Sequence, residues 1–220
     1  MVNVKMIAVA AAAIALVAGV TISFSSYLGE FENARTTTDD GFTAITQPVL
    51  GSQTAPITIV EVGDYQCHMC KKWFEETRPL IIENYINTGK VNLIFIDMPF
   101  LGRDSTPASE ATYCADDQGK YWEYHSMLFR YQQEIDDGWA NANRLQAIAL
   151  NLNLDMEQFD NCMSNDDHKS RVNVNMKKAK TDFGSSSTPT FVIVNSTGDT
   201  KKIIGAHPYS TFEEVINSFL

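Results

Sequence analysis

Ile57-Thr58-Ile59-Val60-Glu61-Val62-Gly63-Asp64-Tyr65-Gln66-Cys67-His68-Met69-Cys70-Lys71-Lys72-Trp73 is the stretch that decides the fold. Its first six residues are β-branched and apolar enough for a central strand, interrupted by a single acid, Glu61. After Gly63 the period changes: Phe74, Ile81, Ile82 and Tyr85 can share one face of a helix that Pro79 should bend. Asn87-Thr88-Gly89 ends that helix, and Val91 to Ile96 reads as a second buried strand. Strand, helix and strand in this order need a crossover, hence parallel pairing.

Cys67 and Cys70 therefore open a helix where a buried strand ends. The free N–H groups and the positive end of the helix dipole stabilise a thiolate on the first cysteine, below the ordinary ~8.5. Cys67 is the expected nucleophile. Cys70, on the same side of the first turn, is expected to be shielded and to close or resolve a disulfide. A CxxC can also hold half of a zinc site, but no second CxxC or nearby His pair completes a tetrahedral set, so no metal site is expected. A purely structural bridge across so short a loop would restrict the unfolded chain little.

Downstream, residues 104–184 carry helix signals in succession and no convincing strand. Thr106 with Pro107 reads as a cap followed by a proline at the first helical position. Tyr121, Tyr124, Leu128 and Tyr131 fall at helical spacing, as do Leu145, Ile148 and Leu152. Asp155 with Gln158 resembles a capping box, and Val172, Met176, Ala179 and Phe183 mark a last helix closed by Gly184. Strands return at Thr190–Val194 and Lys201–Ile204 around a turn at Asn195–Asp199, followed by an amphipathic helix through Phe212, Val215, Ile216 and Phe219. The expected class is α/β, a sheet interrupted by an all-helical insertion.

Upstream, Met6 to Phe24 contains no charged residue, and as a helix it would span roughly 28 Å, close to the hydrocarbon core of a bilayer. Residues 1–26 read as an N-terminal membrane anchor or a removed signal segment, and 27–47 as a linker. Lys5 before the run places the N-terminus in the cytoplasm, so the remainder is exported in either case. The net charge of −10 disfavours nucleic acid. The four cysteines all lie beyond residue 60, which in an exported protein suggests two pairs. Cys114 and Cys162, 48 positions apart on two helices, are expected to form a structural disulfide, with two buried free thiols as the alternative.

The runs Gly51 to Glu61, Gly63-Asp64-Tyr65-Gln66-Cys67, Ala115 to His125 and Thr188-Pro189-Thr190-Phe191 together resemble the DsbA-like branch of the thioredoxin superfamily, including its BdbD-like members. The resemblance covers about 48–220 and matches the helical block to that branch's insertion into the thioredoxin fold. It implies a dithiol oxidase that introduces disulfides into exported proteins, with no cofactor beyond the cysteine pair. The implied partners are unfolded or reduced exported proteins and a quinone-linked DsbB- or VKOR-like membrane protein. A reductase or isomerase of the same fold, and a non-catalytic peptide-binding module, are the rival readings.

The resemblance also implies a buried acid at Glu61 beneath Cys70, able to relay its proton, where the residues alone allow a strand-edge carboxylate in water. It implies a cis Thr188–Pro189 bond opposite the CxxC, with the Thr188 backbone pairing an incoming peptide. His68 departs from the proline that many relatives carry. Protonated, it would stabilise the Cys67 thiolate and make the disulfide more oxidising; otherwise it is an exposed polar residue. Met69 reads as an apolar contact surface near the sulfurs. His125 is expected in packing rather than catalysis and His168 in solvent. Gly205-Ala206-His207-Pro208 can border the site, and Asn195-Ser196-Thr197 fits the N-glycosylation pattern.

Overall fold

A computed structural model of the chain describes residues 47–220. The apolar run at 6–24 and nearly all of the linker lie outside the described residues. Among those described, no helix is long and apolar enough to cross a membrane. Gln47, at the linker's last position, is buried, with hydrogen bonds to Asn175 and Tyr113.

The sheet of the described residues has four strands in the order β2-β1-β3-β4. β1 (Ile57–Gly63) pairs parallel with β2 (Val91–Asp97), in register from Ile57 opposite Val91 to Gly63 opposite Asp97. It pairs antiparallel with β3 (Thr190–Asn195), which forms the expected hairpin with β4 (Thr200–Ile204). A strand buried on both faces needs nearly unbroken apolar sequence, as inner β1 and edge strand β2 both have. β4 is an edge strand and is largely exposed, with Lys201 and Lys202 discouraging further pairing. The outer edge of β2 is met instead by Leu50, whose backbone exchanges two hydrogen bonds with Leu93.

The crossover begins with α1 (His68–Glu76), breaks at Thr77 and resumes as α2 (Arg78–Ile81). Pro79 is therefore not the site of a bend in one helix. It occupies the first turn of a second one, where its missing N–H has no intrahelical partner to lose. A π-helical turn, Ile82–Ile86, follows. The wider turn brings both Tyr85 and Ile86 inward while Ile82 stays half-buried, so the expected stripe is shifted.

The insertion consists of α3 (Ser105–Asp116), α4 (Tyr121–Tyr131), α5 (Ala142–Asn151), α6 (Met156–Ser164) and α7 (Lys169–Thr181), and α8 (Tyr209–Asn217) closes the chain. α3 starts before Thr106, with Asp104 at the cap and Pro107 third in the helix. No intrahelical bond is forfeited there either, because the first N–H groups are unpaired in any helix. Asp155 caps α6 by accepting from the Gln158 N–H, but the return bond comes from elsewhere: Asp155 donates its own N–H to Gln118 beyond α3. Tyr131 is exposed at the end of α4, and His125 and Phe129 complete the buried face in its place.

Two apolar clusters meet at α1. Trp73 belongs to the cluster over the sheet, with its ring 4.6 Å from Phe191. Phe74 belongs to the cluster of the helical block, its ring stacked 5.3 Å from Phe129. Both cysteines belong to the cluster of the helical block, at the start of the helix that joins it to the other.

Candidate active site

The turn from β1 into α1 is braced from several directions. Asp64 accepts from the N–H of Gln66 and from those of Phe100 and Leu101 beyond β2. The Gln66 side chain donates to Ser105 and Asp136 and accepts from the Asp136 N–H. Gln132, just past α4, donates its amide to the carbonyls of Tyr65 and Cys67. At Gly63 a Cβ would overlap the ring of Phe95 on β2, so the packing of that ring against the end of β1 favours glycine; the Cys70 sulfur, at 3.5 Å, would be in ordinary contact.

Cys67 is the N-cap of α1, and its sulfur accepts from the Cys70 N–H at 3.4 Å. The sulfur also lies 3.3 Å from the Thr188 carbonyl oxygen, to which the thiol donates. The Thr188–Pro189 bond is cis, as expected, and this loop faces the CxxC. Hydrogen bonding from the Cys70 thiol, then from Thr188 and the N–H groups of Cys70 and Met69, outweighs burial and lowers the Cys67 thiol to about 6. Cys70 is fully buried, which pushes its thiol well up, with the hydrogen bond and charge of Cys67 and the charge of Glu61 adding to burial. The pair is unbonded.

Glu61 is 1% exposed, so the alternative of a strand-edge carboxylate in water does not hold. It lies on an inner strand between Phe95 and Phe191, and neither carboxylate oxygen has a hydrogen-bond partner. Burial pushes its carboxyl up to about 8, the Arg78 guanidinium pulling it back and the Cys67 charge adding to the rise. Arg78 is itself buried, its guanidinium 4.9 Å from the Phe74 ring centre and 5.5 Å from that of Trp122.

His68 opens α1, and its ring is engaged by the segment after α4. Nε2 lies 3.0 Å from the Gln133 carbonyl oxygen and 3.7 Å from the Glu134 carboxylate. Lys71 donates to the Gln132 carbonyl, so two residues of α1 hold the segment after α4. Met69 is exposed beside the pair. Gly205 donates its N–H to the Pro189 carbonyl, which brings the segment after β4 to the loop facing the cysteines.

His125 is buried in packing, its Nδ1 3.0 Å from the Tyr65 hydroxyl, and burial together with the Arg78 charge keeps its pKa well below the ordinary range. Cys114 and Cys162 are joined in a disulfide with Cα atoms 5.8 Å apart. His168 is not solvent-facing: its Nε2 is 2.7 Å from Asp117, and the side chain is only 17% exposed. In the β3–β4 turn, the Asn195 amide oxygen accepts from the backbone N–H groups of Thr197 and Asp199 and from the Thr197 hydroxyl.

A dithiol of this form can exchange with a disulfide of another chain, and its own disulfide form with a thiol. The family model described as Thioredoxin matches residues 43–218. A Bacillus cereus protein named "Probable disulfide bond formation protein D" is 33% identical over 144 residues, which is 63% of this chain and 66% of that relative. The crystal structure of BdbD from Bacillus subtilis, in its oxidised form, superposes with a TM-score of 0.69 at 27% identity, covering 78% of this chain and 91% of that one. Wolbachia pipientis alpha-DsbA1 shares the fold, with a TM-score of 0.70 at 24% identity over 80% of this chain and 92% of its own.

Proposed function

The chain belongs to the thioredoxin family, and from that premise we propose that it is an extracytoplasmic thiol–disulfide oxidase that passes a Cys67–Cys70 disulfide to cysteines of exported proteins. The observation that carries this reading is the Cys67 sulfur at the start of α1, hydrogen-bonded from the Cys70 N–H and lowered to about 6. A stabilised thiolate favours the reduced enzyme over its disulfide, which makes that disulfide a ready acceptor of electrons. The likeness to proteins named for disulfide bond formation supports the same direction.

In the proposed reaction a client thiolate attacks Cys67, breaking the Cys67–Cys70 bond, and Cys70 leaves as a thiolate. A second client thiolate then attacks the client sulfur of the mixed disulfide and expels the Cys67 thiolate. The client is oxidised by two electrons and the enzyme reduced to the dithiol. Cys70, buried and poorly disposed to carry charge, takes a proton as it leaves. Glu61, neutral up to about pH 8, is the proposed donor, and returns to that form when Cys70 is deprotonated for reoxidation. The Thr188 backbone beside Cys67 would pair the client peptide, and Met69 would offer it apolar contact. A quinone-linked DsbB- or VKOR-like membrane protein would accept the electrons. The apolar run at 6–24 supports an anchor, N-terminus in the cytoplasm, that keeps both enzymes in one plane.

Equilibration with glutathione buffers tests the direction. The Cys67–Cys70 couple should lie toward the ~−120 mV of a strong oxidant, and a potential below about −250 mV would overturn the oxidase assignment in favour of a reductase. A Cys70→Ser chain should accumulate mixed disulfides with client proteins; failure to trap any would point to peptide binding without catalysis.

A further inference from the structure

The Cys114–Cys162 disulfide has two further metal-ligating groups against it. Asp117 ends α3 one turn after Cys114, and His168 precedes α7 six residues after Cys162. Asp117 Oδ2 is 3.8 Å from the Cys162 sulfur and 2.7 Å from His168 Nε2, and the three ligand atoms lie within 4.8 Å of one another. Asp116, the neighbouring acid, is engaged with Arg171, so it is Asp117 that faces this cluster. The Cys114 sulfur, bonded to that of Cys162, is the fourth donor at the same place.

We propose that the reduced form of this pair is a zinc site: Cys114, Asp117, Cys162 and His168 bind one Zn²⁺ when the disulfide is open. Two thiolates, an imidazole and a carboxylate form a donor set that zinc takes tetrahedrally. With bonds of about 2.3 Å to sulfur and about 2.0–2.2 Å to nitrogen and oxygen, the ligand atoms would stand roughly 3.4–3.8 Å apart. The sulfurs must part, and the His168–Asp117 contact must open by under about 1 Å, while the Asp117–Cys162 distance already fits. A dithiol reductant supplies two electrons and two protons, converting Cys114–Cys162 to two thiols and leaving as its own disulfide. Zn²⁺ then displaces both thiol protons. Disulfide and metal exclude one another, so zinc at this site protects the pair from reoxidation.

The test uses the full chain carrying Cys67→Ser and Cys70→Ser, so that any thiols released come from Cys114 and Cys162. After reduction by a phosphine, which competes for zinc less than a dithiol does, the protein desalted from Zn²⁺ should retain one zinc per chain, and the oxidised protein none. Adding His168→Ala or Asp117→Asn should weaken retention at least tenfold against a chromophoric chelator. Because reduction also removes a cross-link, melting gives an independent reading: Zn²⁺ should raise the Tm of the reduced protein and leave that of the oxidised protein unchanged. Equal retention by oxidised and reduced protein, equal affinity after His168→Ala, or no zinc-dependent rise in the Tm of the reduced protein would each overturn the proposal.

Discussion

Cys67 and Cys70 are three residues apart and unbonded, whereas Cys114 and Cys162 are 48 apart and joined. Both pairs are buried or nearly so, so exposure does not separate them. Their surroundings do. The first pair stands at the start of a helix, where unpaired N–H groups stabilise one thiolate, while its partner is buried above an acid. The second joins two helices across a long loop, where a cross-link restricts the unfolded chain strongly and the native chain hardly at all. The same two sulfurs thus make a tool in one place and a brace in the other.

The largest expected effect breaks the tool. Cys67→Ala should lower client oxidation by about 10⁴-fold or more, read as the rate of disulfide formation in a reduced test protein, with the melting curve of the reduced protein unchanged below about pH 6. Next comes the brace: Cys114→Ala with Cys162→Ala should cost about 4 kcal/mol in denaturant unfolding and leave the Cys67 thiolate midpoint near 6. A shifted midpoint would show that the pairs are coupled.

Glu61→Gln should have an intermediate effect with a definite sign. The carboxyl is raised when folded, so its contribution is complete below about 4.5 and is lost as pH rises through about 8. The glutamine variant should match the parent near pH 4 and exceed its stability by about 2–4 kcal/mol at pH 8. Its oxidation and reduction rates should also lose their inflection near pH 8, and rates unchanged from pH 6 to 9 would remove the relay. Cys67 has the opposite sign: its contribution to the reduced fold is complete above the ordinary thiol range and gone below about pH 6, which unfolding of the reduced protein against pH would read, while alkylation rates against pH give the thiol midpoint itself.

The smallest change is expected at His68. Its ring is engaged by the Gln133 carbonyl and Glu134, and hydrogen bonds from other groups account for the lowered Cys67 thiol. His68→Ala should therefore move the alkylation midpoint by less than about half a unit. A larger movement would restore the tuning role that its position between the cysteines suggests.

Much of the fold was legible because it rests on periodicity. β1, β2, the hairpin and the helical block each carry their own hydrophobic pattern, and the CxxC at a strand-to-helix turn is a local feature. What escaped was non-local. Asp64, Gln66 and Gln132 are unremarkable in sequence, and they matter because their partners lie 36, 70 and 65 residues away. His168 looked solvated because its partner, Asp117, is 51 residues upstream. The π-turn at Ile82–Ile86 and the restart of the helix at Arg78 depend on packing against the sheet, which a helical period does not contain. Sequence indicated a buried acid at Glu61 only through resemblance; the register between Phe95 and Phe191 supplies the physical reason.

The amide of Gln132 and the Gln66–Asp136 exchange tie the redox turn to the segment after α4, which lies in the inserted block. The CxxC is consequently not a portable cassette. Transplanted into a thioredoxin scaffold without an insertion, the same seventeen-residue stretch would leave the Tyr65 carbonyl and the Gln66 side chain to water, and the turn would be free to choose another shape. Its chemistry belongs to the junction of two bodies of packing, and an engineer who wants that chemistry has to move the junction.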